Sequence, residues 1–227
     1  MTRMGALLAS VLPLALGAAI SPTLLALQLL VLAGPTRRLA RAWSLTAGSA
    51  VVLALYAVAG ATVLRQIHGK SAPHHSLRDA LVELVCAGLL VALALRSRLR
   101  HRTAGEHHGS WAAIHLTTAP LPWFVGAGAL GMLTNFSTLV LFLPALHQIE
   151  RAQTSTAGRW VVLAVLYVIT LLPVLVPVAV ATVLGPRAEP VLDRTHTFIS
   201  LHSRQIGVVI ELVFAAYLAW KGVTELP

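Results

Sequence analysis

Residues 4–32 read MGALLASVLPLALGAAISPTLLALQLLVL and residues 121–146 read LPWFVGAGALGMLTNFSTLVLFLPAL; neither stretch holds a charged side chain. Both exceed the roughly 18 apolar residues at which a membrane-spanning helix becomes the default reading. They also align. With residue 16 set against residue 130, Leu16-Gly17 matches Leu130-Gly131, Leu25 matches Leu139, Leu27 matches Leu141, Leu29 matches Leu143, and Ser21 faces Asn135. Each stretch carries a polar break in its middle: Ser21-Pro22-Thr23 with Gln28 in the first, Thr134-Asn135 with Ser137-Thr138 in the second. Pro22 has no amide hydrogen, so a carbonyl about one turn earlier loses its partner, and a helix in lipid cannot leave such groups unsatisfied. Matching interruptions in two halves of a chain point to the central site of a transporter. An ordinary proline kink healed by neighbouring hydroxyls fits the same residues, and the sequence leaves both readings open.

Hydropathy predicts six spans in all: Met4 to Leu32, Ala42 to Leu64, Leu81 to Leu95, Leu121 to Leu146, Trp160 to Leu184, and Ile206 to Trp220. The whole composition agrees, with 57% hydrophobic and 11% charged residues. Trp43, Trp111, Trp123, Trp160 and Trp220 all fall at or beyond span ends, where amphipathic rings settle at headgroup level. Arg3 followed by an apolar stretch resembles a signal peptide, but the run to Leu32 is too long for one, and it reads as an uncleaved first span. In the fifth span Thr170, Pro173 and Pro177 predict another kinked segment. Tyr56 and Tyr167 read as packing residues with a hydrogen-bonded hydroxyl, and Gly126, Gly128 and Gly131 as helix-contact positions.

The two short spans share a string, Val82-Glu83-Leu84-Val85-Cys86-Ala87 and Ile210-Glu211-Leu212-Val213-Phe214-Ala215. An acid at the centre of a span costs roughly 2.5 to 3.5 kcal/mol on insertion scales, so two copies at matching positions suggest architecture and mechanism. A carboxylate that can be neutral in lipid and charged when wet suits proton coupling or cation binding. The bland reading has both Glu83 and Glu211 near span ends, reaching water or an arginine.

Two aligned pairs of spans make the chain a three-helix unit written twice, residues 4–96 and 121–222, around a polar Arg- and His-rich loop at 97–120. Three is odd, so the second unit must enter the bilayer from the other side, giving an all-α membrane protein of two inverted repeats in one membrane domain. The connections after spans one, three and five carry Arg37, Arg38, Arg41, Arg96, Arg98, Arg100, Arg102, Arg187, Arg194 and Arg204, more cations than the opposite side. Positive-inside counting therefore puts both termini outside, with Glu83 toward the outer face and Glu211 toward the cytoplasm. Val191, Leu192, Thr195, Phe198 and Ile199 share a helical face away from Asp193, Arg194 and His196, which predicts a short helix lying in the interface.

The net charge of +9 sits between the apolar runs, where anionic headgroups explain it better than nucleic acid does. The single cysteine, Cys86, excludes a disulfide framework, a CxxC pair and a cysteine zinc site. The ten histidines form no spaced ligand set, and no GxSxG, P-loop or GxGxxG motif is present. Neither an enzyme, a metal site nor a cofactor is expected.

The Gly17-to-Pro22 Gly-x-x-x-Ser-Pro element, Asn135 in the fourth span, the amphipathic stretch ending at His202 and the Trp220-Lys221-Gly222 end resemble the actinobacterial peptidoglycolipid-addressing and sulfolipid-addressing proteins. That family is grouped with the lysine-exporter superfamily. The resemblance implies a multi-pass bacterial plasma-membrane protein that moves envelope glycolipids outward, with the Ser21-Pro22 and Asn135 breaks on the pathway. Superfamily relatives often carry Asn-Pro-Lys in the fourth span, where this chain reads Asn135-Phe136-Ser137. The leading expectation is an exporter or flippase for an envelope lipid or similar amphiphile, through Ser21, Pro22, Gln28, Glu83, Asn135, Ser137 and Glu211. A chain of 227 residues has little room for a bulky glycolipid, so a homodimer or a lipid-facing groove is expected. The alternatives are a small-solute, amino-acid or cation exporter, and a scaffold that binds membrane lipids and envelope-lipid synthesis or export proteins.

Overall fold

The computed structural model describes residues 3–68, 85, 87–92, 95, 119–152 and 154–224. Among these, every regular element is helical: α1 Arg3–Ala19, α2 Pro22–Leu32, α3 Arg38–His68, α4 Leu121–Leu133, α5 Phe136–Arg151, α6 Thr156–Leu184, a 3-10 turn Gly185–Ala188, and α7 Glu189–Thr224. Residues 85, 87–92 and 95 are also helical. Glu83 and the polar loop from 97 to 118 lie outside the described residues, so the expectations placed on them are not addressed below.

The two polar breaks are real interruptions. Leu7–Ala19 meets Pro22–Leu32 at 52°, and Leu121–Leu133 meets Phe136–Arg151 at 67°. Pro22 stands at the first position of α2, where its missing amide hydrogen is no loss. Arg38–Thr62 and the helical run Thr156–Ile199 are long and apolar enough to cross a bilayer, and each bent pair qualifies as one broken span, which makes two to four candidate spans among the described residues. Gln205–Trp220 is apolar but shorter. Pro173 and Pro177, where the sequence predicted a kinked segment, both lie inside α6, which continues through them as one helix.

The core is apolar, but so is much of the exterior, and several polar groups lie inside. Gln28 and Ser49 are fully buried, while Val183 is 81% and Trp220 75% exposed. An apolar exterior with hydroxyls and an amide paired inside is an arrangement that suits lipid, where exposed leucine costs nothing and polar groups gain by pairing. Close packing then relies on small residues. A Cβ on Gly48 would stand 2.0 Å from the Val125 carbonyl oxygen, and one on Gly128 would stand 2.0 Å from that of Leu45. The Ser49 hydroxyl donates to the Gly128 carbonyl across the same α3–α4 contact at 3.1 Å. Of the three glycines singled out in the sequence, Gly128 and Gly131 meet neighbouring helices, whereas Gly126 faces open space.

The expected interface helix is not a separate element. The stretch from Val191 to His202 runs without a break into the last span as one 36-residue helix. Ile199 is buried, while Val191 and Phe198 are more than half exposed. The predicted face is thus divided: its Leu192, Thr195 and Ile199 edge turns toward α2 and α6, where apolar packing is available. At the α2–α3 turn Arg37 has φ +47°, a left-handed conformation that a residue with a Cβ keeps only when its surroundings hold it.

Candidate functional site at the junction of the two breaks

A helix end in lipid leaves backbone donors and acceptors that something nearby must satisfy. Here each break supplies the other. The Ser21 hydroxyl caps α2 by accepting from the Leu24 amide at 3.4 Å, and the Asn135 side-chain carbonyl caps α5 by accepting from the Thr138 amide at 3.4 Å. The Asn135 Nδ2 then donates to Ser21 Oγ at 2.7 Å, joining the two caps. Thr138 Oγ1 donates to the Ala18 carbonyl at 3.0 Å, taking up an acceptor at the frayed end of α1. Ser21 Oγ accepts two hydrogen bonds, and among the described residues it donates none. The residue aligned with Ser21 from sequence alone is therefore its bonding partner in space.

Two residues beyond Asn135, Ser137 Oγ donates to Glu211 Oε1 at 2.7 Å. Glu211 Oε2 is buried and has no partner among the described residues. The carboxylate therefore stands beside the α4–α5 break, bonded to a residue of α5's first turn. Ser137 serves as its donor.

Gln28 belongs to a different cluster. Its Nε2 donates to the Ala42 carbonyl and to Thr46 Oγ1, both at 3.3 Å, and Thr46 Oγ1 in turn donates to Ala42 at 2.9 Å and Val174 at 3.5 Å. The fully buried amide ties α2 to α3, and its Oε1 has no partner among the described residues. Pro22 lies with Ser21 on the wall of an apolar cavity of about 380 Å³ between α2, α6 and α7. Of the seven predicted site residues, Ser21, Pro22 and Asn135 share the junction, Ser137 and Glu211 pair beside it, Gln28 stands apart, and Glu83 lies outside the described residues.

Three contributors escaped the sequence reading. Thr138 was noted only as part of the break, and its bond to Ala18 needs the fold to be seen. Arg41 counted as a loop cation, yet it is 7% exposed, with its guanidinium 5.1 Å from the Phe124 ring centre. Arg38 pairs with Glu189 across the α2–α3 turn and the start of α7. Tyr167, by contrast, behaves as read, its hydroxyl donating to the Ala50 carbonyl at 2.7 Å. No group of three or more potential metal ligands occurs among the described residues.

Two broken apolar helix pairs whose interruptions cap each other, beside a carboxylate in an apolar helix, define an all-helical membrane protein of the broken-helix class. The chain belongs to a particular family of these: the model of the Sap, sulfolipid-1-addressing protein, family matches residues 11–224. No curated protein and no solved structure matches the chain.

Proposed function

We propose that this protein moves an envelope lipid or similar amphiphile across the bacterial plasma membrane, without ATP hydrolysis and without catalysis of its own. Membership of a sulfolipid-addressing family supports a lipid role. The observation that carries the transport reading is the Asn135-to-Ser21 bond, which puts a polar, broken-helix junction between two halves of the chain.

Helix packing supports two inverted repeats, α1 to α3 and α4 to α6. The α3–α4 contact has its counterpart in α6–α1, α1–α5 in α4–α2, α2–α6 in α5–α3, and α2–α3 in α5–α6. The third span, most of which lies outside the described residues, is then the counterpart of the apolar half of α7, completing six spans. Glu211, with one oxygen unpartnered beside Ser137, supports coupling to a proton or cation gradient. Moving one charge through 100 mV supplies about 2.3 kcal/mol, enough to bias one conformation over another.

Purified protein in liposomes, with a headgroup-labelled lipid quenched from outside, tests this reading. Lipid translocation lost in Glu211→Gln and in Asn135→Ala is the expected result. Solute or cation flux without lipid movement would instead favour an exporter of the lysine type, and no flux of any kind would leave a scaffold for envelope-lipid assembly.

A further inference from the structure

The apolar cavity beside Ser21 does not stand alone. A second cavity of about 800 Å³ opens between the α2–α3 turn and the start of α7, lined by Arg37, Arg38, Glu189, Asp193 and His196 among others. Leu29 and Leu192 line both cavities, so the polar one adjoins the apolar one. Along α6 the apolar part extends from Leu172 to Val180, about 12 Å at 1.5 Å per residue. That is less than half of the roughly 30 Å hydrocarbon core. A charged mouth feeding a short apolar slot is the shape of a lipid headgroup with part of one chain.

We propose that this two-part groove binds a membrane lipid with an anionic headgroup, its phosphate or sulfate held by Arg37 and Arg38 and one acyl chain lying between α2, α6 and α7. The site rests on the lipid reading above and names where the lipid docks. Both signs of charge line the mouth, and the pairing decides which is on offer. Glu189 is spent on Arg38, while the side chain of Arg37 has no hydrogen bond or ion pair among the described residues. Arg37 also has a left-handed backbone, at the turn that borders the mouth. A headgroup arriving at Arg37 competes with Glu189 for Arg38, so the ion pair acts as a latch over the slot. Asp193 opposes the anion and sets an upper limit on affinity. Positive-inside counting puts this mouth on the cytoplasmic side, where a newly made lipid would be met.

Full-length protein in lipid nanodiscs, with phosphatidylglycerol or phosphatidylcholine carrying a photoreactive group on one acyl chain, tests the site. Labelled peptides should map to α2 and to residues 172–199, with phosphatidylglycerol favoured. Arg37→Gln should lower that preference about fivefold, which is about 1 kcal/mol, the worth of one arginine beside an anionic lipid. Glu189→Gln should raise it, because Arg38 is released. Leu192→Trp should cut labelling with both lipids by filling the passage.

Labelling spread evenly over the exposed apolar surface, or a preference shifted the same way by Arg37→Gln and Glu189→Gln, overturns the proposal. Both of these substitutions are at exposed or half-exposed positions, so they remain informative even where Leu192→Trp does not fold. Groove labelling without translocation would sink the transport reading and leave the site standing. Translocation undiminished in a folded Leu192→Trp protein would sink the site and leave transport standing.

Discussion

Replacing Gly128 with alanine tests the close contact between α3 and α4. The new Cβ would stand 2.0 Å from the Leu45 carbonyl oxygen, 2.9 Å from its carbon and 3.1 Å from its Cα, all backbone atoms that no rotamer change can move. Restoring ordinary contact at about 3.4 Å means parting α3 and α4 by about 1.4 Å. The Ser49-to-Gly128 bond, now 3.1 Å, would then lie beyond hydrogen-bonding range. Overpacking of this kind costs about 1 to 3 kcal/mol, and an interhelical hydrogen bond in a membrane bundle adds about 0.6. Alanine recovers up to about 1 kcal/mol of helix propensity, leaving a net loss of about 1 to 3 kcal/mol. For a protein of this size that lowers the unfolding midpoint by about 2 to 12 °C, read by thermal unfolding in a mild detergent. Gly126→Ala is the control, since nothing lies within 4 Å of its added Cβ. Gly48→Ala, at 2.0 Å from the Val125 oxygen, forces the same parting from the other helix. The double variant should therefore lose less than the two single losses together, because one separation accommodates both methyls. Equal midpoints for Gly128→Ala and Gly126→Ala, or strict additivity with Gly48→Ala, would refute the reasoning.

Asn135→Ala removes both the α5 cap and the bridge to Ser21, and should cost about 1 to 3 kcal/mol by thermal unfolding; a loss equal to that of an exposed alanine substitution would show that the caps do not depend on each other. Glu211→Gln keeps an acceptor for Ser137 but removes the ionisable group, so lipid flux should cease to respond to an imposed proton or cation gradient; flux that still responds would exclude Glu211 from coupling. Ser137→Ala leaves both carboxylate oxygens without a partner among the described residues and should lower stability by about 1 to 3 kcal/mol, a loss that Glu211→Leu in the same chain should relieve. With Cys86 replaced by serine, cysteines at Thr36 and Thr154, which follow the two broken pairs, should be labelled from opposite sides of a sealed vesicle; labelling from one side would mean parallel halves.

Much of the site was readable before any fold. The breaks were visible because a helix in lipid tolerates proline and polar residues only where something satisfies the freed backbone, and the alignment of Ser21 with Asn135 named two residues that prove to bond. Glu211 stood out for the same reason, an acid among valines and leucines. Other parts were not legible. Gln28 looked like a member of the junction because it lies in the same span, but helical phase turns it toward Ala42 and Thr46 on α3. Residues 191–202 carried an amphipathic face that suits a headgroup layer, and no turn residue in the sequence says whether the helix stops there.

The sequence alone determined that the chain carries apolar runs of membrane-span length and that two of them are interrupted, at Ser21-Pro22 and at Thr134-Asn135, because apolar length, proline and polar residues are properties of the chain itself. Only the tertiary structure decided that the breaks cap each other, that Ser137 holds Glu211, that Gly48 and Gly128 let α3 and α4 touch, and that Arg38 meets Glu189 over a groove. Each of those depends on which residues from distant segments come within a few ångströms. That is fixed by helix phase and crossing geometry, which hydropathy averages away.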